Sequence, residues 1–333
     1  MQPVLFRHLS RVFLTTVPRI QIPAETSSRL LLLQSKLSPD LRQPNCNCNH
    51  RLYSSKASIS PSAPNLRQNH LNMAEEQAKI KVHWLNGSRA QSILFLLELL
   101  EVPYELEIYH RDAKRLAPPE LTKIHPLGKS PVVTVTPPGG GEPIVLAETA
   151  FIVQYLSEHF GNGKLIPKKW KDGQEGKVGG ETEEWRQYQY VMYYAEGSFM
   201  SMMMMYYIFD GIRGPNIPFF IRPITRMVAN NVLGILVLPT LKKHFGMLNG
   251  FVENGTYLAG GENPTGADAA LAYPIVAIKT AGKTEEMAEW DNGTFPETYP
   301  KLWAYMEKVQ QHPAWQRSVK KIEEIEGKFS ILP

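Results

Sequence analysis

The first clear periodicity along the chain begins at Lys79. Ile80, Val82 and Trp84 alternate with Lys79, Lys81 and His83, a period of two that predicts a strand. Asn86-Gly87-Ser88-Arg89 breaks it, and Ala90 to Glu101 follows as a strongly apolar helix. Tyr104, Leu106 and Ile108 alternate with Glu105 and Glu107 to give a second strand, after which Pro118-Pro119-Glu120 opens a short helix at positions where proline is tolerated. Two β-branched runs, Val132 to Thr136 and Ile144 to Ala147, are joined by Pro-Pro-Gly-Gly-Gly-Glu-Pro, a turn-rich connection that predicts an antiparallel hairpin. Thr149 to Phe160 closes the set with a helix. The predicted order β-α-β-α-β-β-α over residues 79–160 is an α/β module.

Residues 161–180 hold six glycines and five lysines with little apolar material, the composition of a linker. Beyond it no strand signal stands out. Glu181 to Asp210, Thr225 to Asn254, Gly266 to Gly282 and Tyr299 to Ile325 read as helices, so residues 181–329 form an all-helical second domain. Within it, Tyr190 to Phe209 is twenty residues with a single charge, Glu196, long enough for a membrane span. Its polar lead-in and its Gly197, Ser198 and Ser201 favour a buried central helix instead.

Charge changes the picture of the first 78 residues, which read as a disordered leader. Residues 1–72 carry nine basic side chains against two acidic ones, a net +7 that leaves −3 for the rest of a chain whose total is +4. The whole-chain basicity therefore belongs to the leader, and the mildly acidic body argues against nucleic-acid binding. An Arg- and Ser-rich, acid-poor leader has the composition of an organellar transit peptide, and Arg51-Leu52-Tyr53-Ser54 is similar to a mitochondrial processing site, which points to the mitochondrion. A second reading stands beside it: translation from Met73, directly before the first periodic segment, gives a cytoplasmic protein. Both cysteines, Cys46 and Cys48, lie in the leader, so the body has no disulfide, no thiolate metal site and no catalytic cysteine.

Three motifs carry the candidate chemistry. The break at Asn86 to Arg89 leaves backbone N–H groups at a helix start, where the macrodipole is positive and an anion can sit. Ser88 there is either a helix N-cap or a hydroxyl donor to that anion. The turn His125-Pro-Leu-Gly-Lys129-Ser130-Pro131 is the second motif, and Glu148-Thr149 at the start of the next helix is the third.

With His83-Trp84 ending the first strand and Ser88-Arg89 preceding the Leu-rich run Ile93 to Leu100, this arrangement resembles the glutathione transferase superfamily, in its fungal and bacterial branch, from Lys79 to about Phe329. The resemblance implies a thioredoxin-like domain that binds glutathione, an all-helical domain that binds an apolar electrophile, and a homodimer. It implies that Ser88, or Asn86 two residues away, activates the glutathione thiol, with Arg89 orienting the loop. It implies a cis peptide before Pro131 that exposes the Ser130 backbone to the cysteinyl residue, and Lys129 at the glycyl carboxylate. Glu148 is implied to accept from the γ-glutamyl ammonium, and Thr149 to hold its carboxylate. His125 is implied to be a structural group. Met200, Met202 to Met205, Tyr206 and Tyr207 would line the electrophile cleft where helical spacing allows, and Thr265-Gly-Ala-Asp268 reads as a capping box. Glutathione would be co-substrate, with no metal or other cofactor, for conjugation to apolar electrophiles and for a glutathione-dependent peroxidase activity toward organic hydroperoxides, in detoxification and the response to oxidative stress. A non-catalytic ligand carrier or regulatory protein on the same fold is the rival reading.

Overall fold

The computed structural model describes residues 77–330 apart from 216, 254 and 255. The readings of the leader, among them the Arg51 to Ser54 processing site and the alternative start at Met73, lie outside the described residues.

A four-stranded mixed sheet has the order β2-β1-β3-β4. Strand β1 (Lys79–Leu85) pairs in parallel with β2 (Glu105–Tyr109) and antiparallel with β3 (Val132–Thr136), which forms the expected hairpin with β4 (Ile144–Ala147). Helix α1 (Ala90–Leu100) joins β1 to β2 and ends on Glu101 in the left-handed region, φ 56°. Every residue of α1 from Ala90 to Leu97 is buried, including the polar Gln91 and Ser92 ahead of the apolar run Ile93 to Leu97. It packs on the sheet, on α3, and on two helices of the second half, α8 and α12, given below. The one-turn helix α2 (Leu121–Ile124) follows the double proline, and α3 (Thr149–Phe160) occupies the range the periodicity predicts. This is the thioredoxin-like arrangement.

The remainder is helical. Helix α4 (Glu183–Tyr194) continues through a π-helical turn, Ala195–Met200, into α5 (Ser201–Arg213). Helix α6 (Arg222–Val232) continues through a second π turn, Leu233–Val237, into α7 (Leu238–Phe251). The second widened turn stops directly before Leu238-Pro239, where the proline ring has no N–H to give and would crowd the carbonyl four residues back. Helix α8 (Gly266–Thr280) is the buried centre of this half and starts on the expected capping box of Thr265 and Asp268. Short α9 (Thr284–Met287) and α10 (Phe295–Thr298) precede α11 (Pro300–Gln311) and α12 (Pro313–Glu326).

The single helix expected over Tyr299 to Ile325 is thus two. His312 precedes a proline and is held extended at φ −64°, ψ 131°, because the Pro313 ring disfavours a helical residue before it. His312 then caps the new helix, its Nδ1 accepting from the Ala314 N–H at 3.2 Å. The break lets α12 fold back on α1: Gln91 Nε2 donates to Ser318 Oγ at 2.8 Å, and Arg317 pairs with Glu98 at 2.7 Å. Residues 161–180 are tied down at several points, since Leu165 is buried, its carbonyl accepts from Gly266 N–H, and Trp170 bridges Glu181.

Candidate functional site

The register of the sheet decides which motifs meet. Val132 pairs with His83 on one side and Ala147 on the other. The ladder begins at Val132, so Ser130 and Pro131 lie just off its end, beside Leu85 and Trp84 of β1 and beside Glu148 and Thr149 past β4. The Ser130–Pro131 peptide is cis. Three segments far apart in sequence therefore share one edge of the sheet.

Hydroxyl groups knit that edge together. Ser130 Oγ donates to the His83 carbonyl at 3.1 Å and lies 3.4 Å from Ser88 Oγ. A hydroxyl has one proton, and the one on Ser130 is taken by His83, so Ser88 is the donor in the serine pair. Ser88 is buried, and its oxygen also accepts from the Ala90 N–H at 3.2 Å. Gln91 N–H binds the Ser88 carbonyl and Ser92 N–H the Arg89 carbonyl. This corrects the expectation of free donors at the start of α1: its first-turn N–H groups are consumed by the loop that precedes them. An anion beside Ser88 meets a hydroxyl and a helix dipole.

The loop itself is clamped by a residue the sequence reading passed over. Arg111, two positions beyond β2, donates through its side chain to the carbonyls of Asn86 at 3.1 Å and Gly87 at 3.5 Å, while its backbone N–H binds Asn86 Oδ1 at 2.8 Å. Asn86 is thereby committed to holding the loop through its side-chain oxygen. Arg89 forms an ion pair with Glu196 on the first π turn, linking the loop to the helical half. The other Glu196 oxygen is buried without a partner among the described residues. Glu196 was legible as the lone charge in an apolar run, and the hundred-residue gap to Arg89 hid its partner. Nearby, burial lifts the Tyr273 phenol well above its ordinary range against the pull of Arg111 and Arg89.

Glu148 and Thr149 begin α3. Glu148 is exposed and held at φ 71°, ψ 118°, a conformation that side chains rarely adopt and that marks a position under constraint. Among the described residues no side chain caps this helix start. Thr149 is buried, and its hydroxyl has no partner among the described residues. Lys129 is exposed beside Ser130, and His125 Nδ1 accepts from Leu127 N–H at 3.4 Å within its own turn. Of the methionine and tyrosine cluster, Met203 and Tyr206 belong to the core, Met204 is exposed, and Met200, Met202, Met205 and Tyr207 are half-buried.

The family model described as the glutathione S-transferase N-terminal domain matches residues 79–158. Glutathione S-transferase 1 of Saccharomyces cerevisiae is 31% identical over 251 residues, covering 75% of this chain and 98% of the yeast protein. The chain belongs to the glutathione S-transferase family. Glutathione S-transferase 3 of Schizosaccharomyces pombe is 26% identical over 245 residues, 74% of this transferase and 88% of that protein. Among solved structures, a glutathione transferase homolog from Lodderomyces elongisporus, with two GSH per subunit, shares the fold at TM-score 0.52 and 16% identity over 72% of this chain and 97% of its own. A glutathione transferase from Phanerochaete chrysosporium with oxidized glutathione does so at TM-score 0.51 and 17% identity, over 76% and 98%. The protein is accordingly a transferase.

Proposed function

We propose that this transferase binds glutathione along the edge formed by Ser88, Ser130 and Glu148-Thr149 and conjugates its thiolate to apolar electrophiles. The observation that carries the reading is the uncapped start of α3, set behind the constrained Glu148 and beside the Ser130 turn by the Val132–Ala147 pairing. Free N–H groups at the positive end of a twelve-residue helix fit a carboxylate, and the adjacent Glu148 fits an ammonium, which together describe the γ-glutamyl end of the tripeptide. The buried Thr149 hydroxyl would gain in that carboxylate the acceptor it lacks. Ser130, outside the ladder, offers its backbone to the cysteinyl residue, and Lys129 its charge to the glycyl carboxylate.

The thiol then lies by Ser88. Its proton leaves to solvent, the thiolate is held by the Ser88 hydroxyl and the dipole of α1, and its lone pair forms a carbon–sulfur bond as the electrophile's leaving group departs. Glutathione is the co-substrate, and neither metal nor redox cofactor enters this balance. The half-buried methionines and Tyr207 supply an adaptable apolar wall for the electrophile. Calorimetric titration with glutathione, combined with a thiol-consumption assay across a set of electrophiles, tests this reading. Binding with turnover is expected, and Glu148→Gln should weaken binding by about tenfold. Binding without turnover would favour a carrier, and an unaltered affinity in the variant would remove the site.

A further inference from the structure

The helical half carries an exposed apolar surface on the loop before α6 and along α6. Phe219 and Phe220 stand at the tip of the loop before α6, 80% and 69% exposed, and Ile224, Met227, Ile235 and Leu236 continue the surface along α6 and the second π turn. The tip is rigid. Arg222 donates to the carbonyls of Pro215 and Ile217 at 2.8–3.1 Å, the N–H groups of Ile221 and Arg222 both bind the Pro218 carbonyl, and the two rings meet edge to face at 5.7 Å. An open groove of about 420 Å³ runs among Phe219, Arg222, Arg226, Met227 and Asn230.

Arg222 and Arg226 stand on this surface without an ion pair among the described residues, while Arg213 pairs with Asp210 and Lys242 with Asp291. From residue 211 to 252 there are five Arg and Lys and no Asp or Glu, in a body whose net charge is −3. We infer that this face docks on the surface of an anionic phospholipid membrane, with the Phe219–Phe220 tip in the acyl boundary and Arg222 and Arg226 among the headgroups. A helix with an apolar stripe, a basic flank and aromatic residues at one end has the composition of an element that lies in the interface. It lies on the membrane and does not cross it. The run Arg222–Phe251 is long and apolar enough to span, but Ala229, Leu233, Val237, Leu241, Phe245 and Leu248 are packed into the protein core along its inner side.

The test is co-sedimentation of the full chain with phosphatidylcholine vesicles, with and without phosphatidylserine. Because the basic leader can bind anionic lipid by itself, the informative comparison is between chains that all carry it. Phe219→Ser/Phe220→Ser should lower the fraction bound to phosphatidylserine vesicles by about tenfold or more. Arg226→Glu, a surface change that leaves the tip in place, should lower it less and flatten its dependence on salt. Melting temperatures near that of the wild type confirm that both variants fold. Equal sedimentation of wild type and variants overturns the inference. So does a loss of self-association on the double change in lipid-free sedimentation velocity, which would assign the face to a contact between copies.

Discussion

Replacing Ser88 by alanine should raise the pKa of glutathione's thiol in the binary complex by about one to two units. The first-turn N–H groups of α1 are occupied by the Ser88 hydroxyl, the Ser88 carbonyl and the Arg89 carbonyl, so the hydroxyl is the donor left for a thiolate. A hydrogen bond to a charged group contributes about 1.5–3 kcal/mol, and one pKa unit corresponds to about 1.36 kcal/mol. Loss of the donor thus returns the thiol toward its free value near ~8.5, and the thiolate fraction at pH 7 falls by about tenfold or more. In the protein as it stands the Ser88 proton points at Ser130 Oγ across 3.4 Å, a long contact between neutral groups that is cheap to give up. Ser130→Ala should therefore act in the opposite direction: freed of that acceptor, Ser88 turns to the thiolate at no cost, and the pKa stays level or drops. Thiolate absorbance followed against pH at saturating glutathione, in wild type and both variants, reads the three values directly. An unchanged pKa in Ser88→Ala would refute the assignment and leave activation to the dipole of α1.

Removing the Asp268 carboxylate should be costly, because Leu258 N–H, Thr265 N–H, Thr265 Oγ and Tyr305 OH all donate to it within 2.7–2.9 Å in the core. At about 1–3 kcal/mol for each orphaned donor, Asp268→Ala should lower the melting temperature by about 10 °C or more, and a drop of only a degree or two would contradict the bonding described. Burial holds His83, His244 and His312 below the ordinary histidine pKa, so each resists protonation in the fold. Their contribution is complete above the unfolded value of about 6.5 and is lost as pH falls through the lower folded values. Melting temperature should decline from pH 7 to pH 5.5, and His312→Asn, which keeps an N-cap at α12 without a titrating ring, should flatten that decline; a flat wild-type profile would contradict it. A reporter fused to residues 1–72 should reach mitochondria. A diffuse signal, or a native N-terminus at Met73 or Ala74, would show that the leader is no transit segment.

Local pattern carried a large part of the architecture. Alternation placed β1 and β2, β-branched runs flanking a Pro- and Gly-rich connection placed β3 and β4, and Thr149–Phe160 matches the helix read between the third motif and Gly161. The helix break at His312 was equally present in the sequence as a residue before Pro313, yet the helical patterns on its two sides were read as one element, and the pre-proline constraint was passed over. The π turns left no such trace, since one extra residue per turn is invisible to a period-matching eye over so short a span. At the site, the sequence supplied the types of residue but not their commitments. That Asn86 would be spent on Arg111, Arg89 on Glu196 and the first N–H groups of α1 on Ser88 depends on register and crossover between distant segments, which periodicity does not encode.

The fold-back of α12 onto α1 also sets the order of events at the ribosome. The helix that follows the Ser88 loop cannot bury its last face until the end of the chain arrives, because its buried Gln91 bonds to Ser318, 227 residues later. At about 5–20 residues per second, roughly ten to forty-five seconds separate their syntheses, during which the nascent sheet must hold an apolar helix with one side uncovered. A chain clipped before α12 would expose that side permanently, so carboxyl-terminal trimming becomes a route to inactivation that never touches the glutathione edge.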